Sequence, residues 1–305
     1  MRYGFVGLGN LGAMLAGSLK RAGFELHVHD ANRAAAEPLI AKGAIWAESP
    51  KALAASVDAV VTCLPSPTIS ERVLSGANGL LDGFRPGATW IEMSTNDQDT
   101  IVRLAALAAE HGVATLEAPV TGGVHKAAAG KITVIVGGDA HVFAAHKDAL
   151  AAMGSPIFRV GSIGAASVIK VITNMLAFIH LVAAGEALML AKRAGLDLGV
   201  AFEVIRASSG NSFVHETESQ LILNGSYNIN FTMDLACKDL GFAMKLGRDF
   251  GVPLDLAALT AQTFIRGREA YGGGAYSTKI VKLLEDALHT DLRAPGFPAE
   301  LTSES

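Results

Sequence analysis

Near its start the chain passes from a short apolar run, residues 3–6, straight into Gly7-Leu8-Gly9-Asn10-Leu11-Gly12. Leu11, Leu15 and Leu19 then recur at the spacing of an amphipathic helix. The glycine pattern alone means little: with 33 glycines among 305 residues it would arise by chance roughly 0.4 times. Here a strand precedes it and a helix follows, and that context gives each glycine a task. Gly7 permits the tight turn, Gly9 lets main chain approach a pyrophosphate, and Gly12 lets the helix pack on the strand, while the helix's free N–H groups face the phosphates. A second strand, 25–29, ends at Asp30, 18 residues beyond Gly12, where a carboxylate can accept hydrogen bonds from ribose hydroxyls. The spacing therefore predicts a dinucleotide site built from Gly7, Leu8, Gly9, Asn10, Leu11, Gly12 and Asp30.

The carboxylate of Asp30 would repel a 2′-phosphate, which favours NAD over NADP. Arg33 pulls the other way, because an arginine just past this strand can clamp that phosphate; its alternative role is to open the next helix on the surface. Further apolar runs at 59–64, 88–92, 113–117 and 132–136 alternate with helical stretches and read as a doubly wound sheet. Leu64-Pro65-Ser66 and Met93-Ser94-Thr95 lie just past the carboxyl ends of two of these strands, where open parallel sheets bind ligands. They either line the cofactor cleft or serve as polar turns.

From about residue 164 to 193 the chain is Pro-free and largely apolar, long enough for a single helix, and further helices are expected at about 197–208, 231–250, 253–271 and 280–288. This predicts three parts: a Rossmann-type domain over 1–161, an all-helical domain over 162–292 joined by the long helix, and a loosely attached tail over 293–305. Half the residues are hydrophobic, 18% are charged and the net charge is −4, which suits a packed globular core and argues against a nucleic-acid partner. The longest charge-free apolar run, 171–185, contains Asn174 and His180 and falls short of the roughly 20 residues of a span, so a buried helix and no membrane are expected. Residues 1–6 make a poor secretory leader, and Met1 is read as the mature start. Cys63 and Cys237, far apart and outside any metal-ligand spacing, point to neither disulfide nor zinc and fit a reducing cytoplasm.

On the long helix Lys170 and Asn174 are four positions apart and share a face otherwise filled by Val171, Ile172, Met175 and Leu176. Burial disfavours the charged form of a lysine, so Lys170 is a candidate acid/base, or else a lysine snorkelling from the first turns of its helix. The segment Ala118-Pro119-Val120-Thr121-Gly122-Gly123 offers a hydroxyl and exposed main-chain N–H groups, which suit a carboxylate but also describe an ordinary glycine-rich turn.

Five ordered pieces now stand together: residues 5–12, Ser94-Thr95, residues 118–123, residues 164–170 with Asn174, and Lys238-Asp239-Leu240. In these the chain closely resembles the beta-hydroxyacid dehydrogenases, the family of 3-hydroxyisobutyrate dehydrogenase and tartronate semialdehyde reductase, over residues 1–288. The resemblance implies that Lys170 is the catalytic acid/base and that Asn174 positions the substrate. It further implies that Thr121, Gly122 and Gly123 hold the substrate carboxylate, and that Thr95 and Lys238 lie by the nicotinamide end of the cofactor. It also implies a homodimer or homotetramer acting on a small carboxylate substrate. Lys238 has a plainer reading as a surface lysine paired with Asp234. Thr121 stands where the family commonly has Ser, and Glu117 where it has Asp. His125 occupies a position the family varies, either touching substrate or facing solvent. The segment 272–278 lacks an Asp that the family usually carries.

The expected chemistry is hydride exchange between a small 3-hydroxy acid and NAD or NADP, with Lys170 handling the proton. Two alternatives remain: a non-catalytic dinucleotide sensor, which needs no Lys170, and an imine reductase, a relative that usually replaces that lysine. A 6-phosphogluconate dehydrogenase would need a much longer helical half.

Overall fold

A computed structural model describes residues 1–302, and these form two compact units that divide between Lys170 and Val171. The first carries one nine-stranded sheet: β1 (Arg2–Val6), β2 (Glu25–His29), β3 (Ile45–Trp46), β4 (Ala59–Thr62), β5 (Thr89–Glu92), β6 (Ala114–Glu117), β7 (Val120–Thr121), β8 (Thr133–Gly138) and β9 (Ile157–Gly161). The order is β3-β2-β1-β4-β5-β6-β8-β7, with β9 on β8. Pairing is parallel from β3 through β6, and β8 joins antiparallel to β6 and β7. The chain winds outward one way from β1 through β2 and β3, and the other way through β4, β5 and β6. The sheet's switch point therefore lies between β1 and β4, where this architecture binds ligands.

Helices α1 (Asn10–Arg21), α2 (Glu37–Ile40), α3 (Pro50–Ser56), α4 (Pro67–Ser75), α5 (Gln98–Glu110), α6 (Val124–Ala128) and α7 (Ala140–Met153) accompany the sheet. Successive strand side chains point to opposite faces, so a sheet covered on both sides needs continuous apolar runs. Tyr3, Phe5, Val61 and Ile91 enter one core, while Val6, Val60 and Trp90 enter the other. All six strands expected from the sequence are present within a residue or two at their ends. β3 and β7, two residues each, are too short to show a period, and β9 exposes Phe158 and Val160 at the sheet margin.

α8 (Ala165–Arg193) runs through the boundary into the second unit, followed by α9 (Leu198–Arg206), α10 (Phe213–Asn224), α11 (Met233–Asp249), α12 (Asp255–Tyr271) and α13 (Lys282–Ala287). The division falls inside α8, later than the glycines at 161 and 164, because the first turn of α8 is hydrogen-bonded to the carboxylate of Glu117 at the end of β6. The second unit has its own core around Phe178, Leu188, Phe202, Ile222, Leu240 and Phe264.

Two expectations need correction. α8 is not buried on most sides: Ile172, Leu176 and Leu190 are exposed along it, and Ala183 and Ala187 continue the same stripe. Among the described residues α8 alone is long and apolar enough, by length and composition, to cross a membrane. The segment after 292 is not loose. Arg293 donates to the Ile222 carbonyl and to Glu285, both at 3.0 Å, and to the Tyr227 hydroxyl at 2.7 Å. Ala294 N–H bonds the Leu223 carbonyl and Asn224 bonds the Phe297 carbonyl, so a buried acid, Glu285, and the end of α10 tie this stretch down. The last part of the expected tail, 303–305, lies outside the described residues.

Candidate active site

β1 delivers the glycine loop. Gly7 has φ +96°, and a Cβ there would lie 2.2 Å from the Cys63 carbonyl oxygen; a Cβ at Gly12 would lie 2.0 Å from the carbonyl oxygen of Gly7. Both glycines are demanded by the packing of β1, α1 and the end of β4. Gly9 is different: a side chain there would meet nothing within 4 Å, so no contact inside the protein accounts for it. It caps α1 without any side-chain hydrogen bond, and the first turn of α1 carries no acidic residue, which leaves that turn's N–H donors for an anion. The loop thus fits a dinucleotide pyrophosphate.

Asp30, at the end of β2, accepts from Leu8 N–H and from Asn32 N–H, each at 2.7 Å. It thereby anchors the loop that follows β1. Arg33 lies with its guanidinium 5.3 Å from the centre of the Trp46 ring and makes only long pairs, 3.6 Å to Glu48 and 3.8 Å to Glu37. On the other side of the switch point, Leu64 N–H donates to Ser94 Oγ at 2.7 Å, and Ser94 N–H donates to Glu92 Oε1 at 2.6 Å. The loops after β4 and β5 are therefore laced together beneath the half-buried Thr95. Burial pushes the carboxyl of Glu92 up, its hydrogen bonds opposing that shift only in part. Pro65, next along, is exposed.

After β6 the chain makes the short strand β7, ending at Thr121, and turns through Gly122 at φ +125° and Gly123 at φ +90° into α6. Left-handed backbone of this kind is open mainly to glycine, and it turns consecutive N–H groups out of sheet pairing. His125 follows, half-buried; its Nε2 is buried without a hydrogen-bond partner, and burial, with the neighbouring Lys126 charge, pushes its pKa down.

Lys170 and Asn174, one turn apart on α8, are each 8% exposed. Asn174 Nδ2 donates to Asp239 Oδ2 at 2.6 Å, and Lys238 Nζ donates to Asp239 Oδ1 at 2.6 Å while lying 4.8 Å from the centre of the Phe242 ring. The pairing of Lys238 with Asp234 is not formed: Asp234 faces solvent, with Arg268 3.9 Å away. Asp239, 1% exposed, is the residue that sequence reasoning missed. In the sequence its place directly after Lys238, within the Lys238-Asp239-Leu240 motif, is the one available signal. By accepting from its Nδ2, Asp239 fixes which way round the amide of Asn174 is held. Cys63 and Cys237 are free thiols, and among the described residues no cluster of three His, Cys, Asp or Glu could hold a metal.

Comparison with known proteins agrees with this geometry. The family model described as the NAD binding domain of 6-phosphogluconate dehydrogenase matches residues 2–164, and one described as NAD-binding of NADP-dependent 3-hydroxyisobutyrate dehydrogenase matches residues 164–284. The chain is 33% identical to 2-(hydroxymethyl)glutarate dehydrogenase of Eubacterium barkeri, over 93% of this chain and 95% of that one. It is 34% identical to L-threonate dehydrogenase of Cupriavidus necator, over 92% and 95%. The crystal structure of a 3-hydroxyisobutyrate dehydrogenase from Salmonella typhimurium superposes with a TM-score of 0.86 at 33% identity, covering 93% of this chain and 99% of that one. A nicotinamide-dependent oxidoreductase acting on CH–OH groups is the class these findings define. The chain belongs to the beta-hydroxyacid dehydrogenase family, as an NAD(P)-dependent hydroxyacid dehydrogenase.

Proposed function

We propose that this enzyme interconverts a small 3-hydroxy acid and its semialdehyde with NAD, using Lys170 as the acid/base. The observation that carries the reading is a lysine side chain almost wholly withdrawn from water, one turn ahead of an asparagine whose amide is held by a buried carboxylate. A bound nicotinamide dinucleotide accepts or supplies the hydride. In oxidation the neutral Nζ of Lys170 takes the substrate's hydroxyl proton; in reduction its ammonium returns a proton and neutralises the developing alkoxide. Thr121 Oγ1 and the N–H groups of Gly122 and Gly123 hold the substrate carboxylate, and the Oδ1 of Asn174 orients the hydroxyl. Thr95 and Lys238 serve the nicotinamide end. His125, with a buried nitrogen in want of a partner, meets a polar substituent of the substrate.

Asp30 supports NAD over NADP, because a 2′-phosphate beside its carboxylate would be repelled while Arg33 already lies on Trp46. The apolar stripe on α8 supports a homodimer or homotetramer, and two separate free thiols suit a reducing cytoplasm.

The test is steady-state kinetics of the wild type and of Lys170→Ala on 3-hydroxyisobutyrate, L-threonate, glycerate and 3-hydroxy amino acids, with NAD and with NADP. We expect Lys170→Ala to lose at least about 1,000-fold in kcat while NADH affinity, followed by fluorescence, stays within twofold. Near-normal turnover in that variant overturns the acid/base assignment. Tight cofactor binding without turnover of any substrate by the wild type would instead favour a sensor.

A further inference from the structure

α8 has no cap of its own. Gly164, the residue before it, has φ +97° and no side chain, yet the first turn of any helix leaves N–H groups without partners inside the helix. The missing acceptor comes from far along the chain. Glu117 Oε1 accepts from Ala166 N–H at 2.9 Å, and Oε2 accepts from Ser167 N–H at 3.0 Å and from Ser167 Oγ at 2.6 Å. The carboxylate is 1% exposed. Gly137, opposite Glu117 across the β6–β8 pair, makes room for it: a Cβ there would lie 2.3 Å from Glu117 Oε1.

Lys170 follows Ala166 by four residues and Ser167 by three, so it stands on the same face one turn on. The main chain of Glu117 is equally committed, since the next residue, Ala118, donates to the Glu92 carbonyl at 2.7 Å and the loop of Thr121, Gly122 and Gly123 starts there. One side chain therefore spans two parts of the catalytic apparatus, the loop for the substrate carboxylate and the turn that aims the lysine. We propose that Glu117 is a positioning residue for catalysis: its carboxylate sets the height and rotation of the first turn of α8, and thereby where Lys170 Nζ stands relative to the carboxylate-binding loop.

Helix geometry makes the lever steep. A slip of one residue moves a side chain 1.5 Å along the axis and about 100° around it, and misplacement of a reacting group by about 1 Å costs on the order of 100-fold in rate. Burial pushes the carboxyl of Glu117 up, and its hydrogen bonds from Ser167, Ala166 and Gly164, at the positive end of the α8 dipole, oppose that shift only in part. This proposal rests on the assignment of Lys170 made above.

The experiment compares Glu117→Gln, Glu117→Asp and Gly137→Ala with the wild type and with Lys170→Ala, reading kcat, KM, NADH affinity by fluorescence and the pH profile of kcat. We expect Glu117→Gln and Gly137→Ala to lower kcat at least 10-fold with NADH affinity within twofold. The pH limb that disappears in Lys170→Ala should be displaced, and Glu117→Asp should recover part of the loss. Wild-type kcat and an unmoved limb in folded Glu117→Gln overturn the proposal, as does a variant that only melts earlier. If Glu117→Gln does not fold, Ser167→Ala decides: it removes only the 2.6 Å bond, and about a threefold fall in kcat with a displaced limb supports the proposal, whereas no change overturns it. An active Lys170→Ala would instead remove the reading beneath it, whatever the Glu117 variants do.

Discussion

Asp30 does two things that the motif alone assigns to different groups. Its Oδ2 holds Leu8 N–H, and so the shape of the glycine loop, while in the function proposed above the same carboxylate also accepts from ribose hydroxyls. Loss of a charged hydrogen-bond acceptor there should cost about 1.5–3 kcal/mol. Asp30→Ala is thus expected to lower kcat/KM for NAD by about 10- to 100-fold and NADP by less, so that the ratio of the two efficiencies falls towards unity. A wild type that prefers NADP would show Arg33 to be the dominant group. The chemistry of individual residues was legible where it depends on neighbours in sequence, as with Lys170 and Asn174 on one helical face. It was not legible where it depends on approach in space. Asp239 is adjacent to Lys238 in the chain, but nothing in a list of letters says that its second oxygen reaches Asn174, 65 residues away.

Elements are joined by a few buried polar contacts whose protonation matters. Tyr3 on β1 meets His146 on α7, Oη to Nδ1 at 2.9 Å, with the His ring also edge-on to the Tyr ring. Burial pushes the imidazole of His146 down to about 4 from 6.5. A base whose folded pKa is depressed is bound by more protons in the unfolded chain between these values, so its contribution to stability is complete above about pH 6.5 and is lost as pH falls towards 4. Between pH 7 and pH 5 the loss should be about 2 kcal/mol, measurable by urea unfolding. His146→Gln should flatten that slope, and an unchanged slope would show that other groups set it. At this scale the sequence revealed long, strongly periodic elements and hid others. α10 escaped because its buried face includes His215, Thr217 and Ser219, satisfied by the Phe202 carbonyl, the Phe213 carbonyl and each other, so its hydrophobic period is blurred. Its ends carry local signals all the same: Ser212 Oγ accepts from His215 N–H, and Gly225 closes the helix at φ +90°.

For the molecule as a whole, the long helix presents an apolar stripe to solvent. Ile172, Leu176 and Leu190, 37%, 43% and 72% exposed, stand on one line of α8, and a second copy that covers them would contribute roughly 1 kcal/mol for each of the first two and about 2 kcal/mol for Leu190. On the proposal that copies of this chain associate through this stripe, Leu176→Asp and Leu190→Asp, which each place a charge in the seam, are expected to weaken self-association by at least about 10-fold apiece, read by sedimentation or light scattering across a dilution series. Oligomers unaffected by both substitutions would remove α8 from the interface. The amino-acid order by itself determined the glycine loop, the alternation of strand and helix, the long helix and the lysine upon it, because these follow from periods and turn chemistry acting over a few residues. Only the tertiary structure decided which carboxylate caps that helix, which acid orders Asn174, and how Arg293 and Glu285 hold the segment beyond residue 292. Those are pairings between groups tens of residues apart, and they form only because the folded cores exclude water and leave each buried charge a single set of partners.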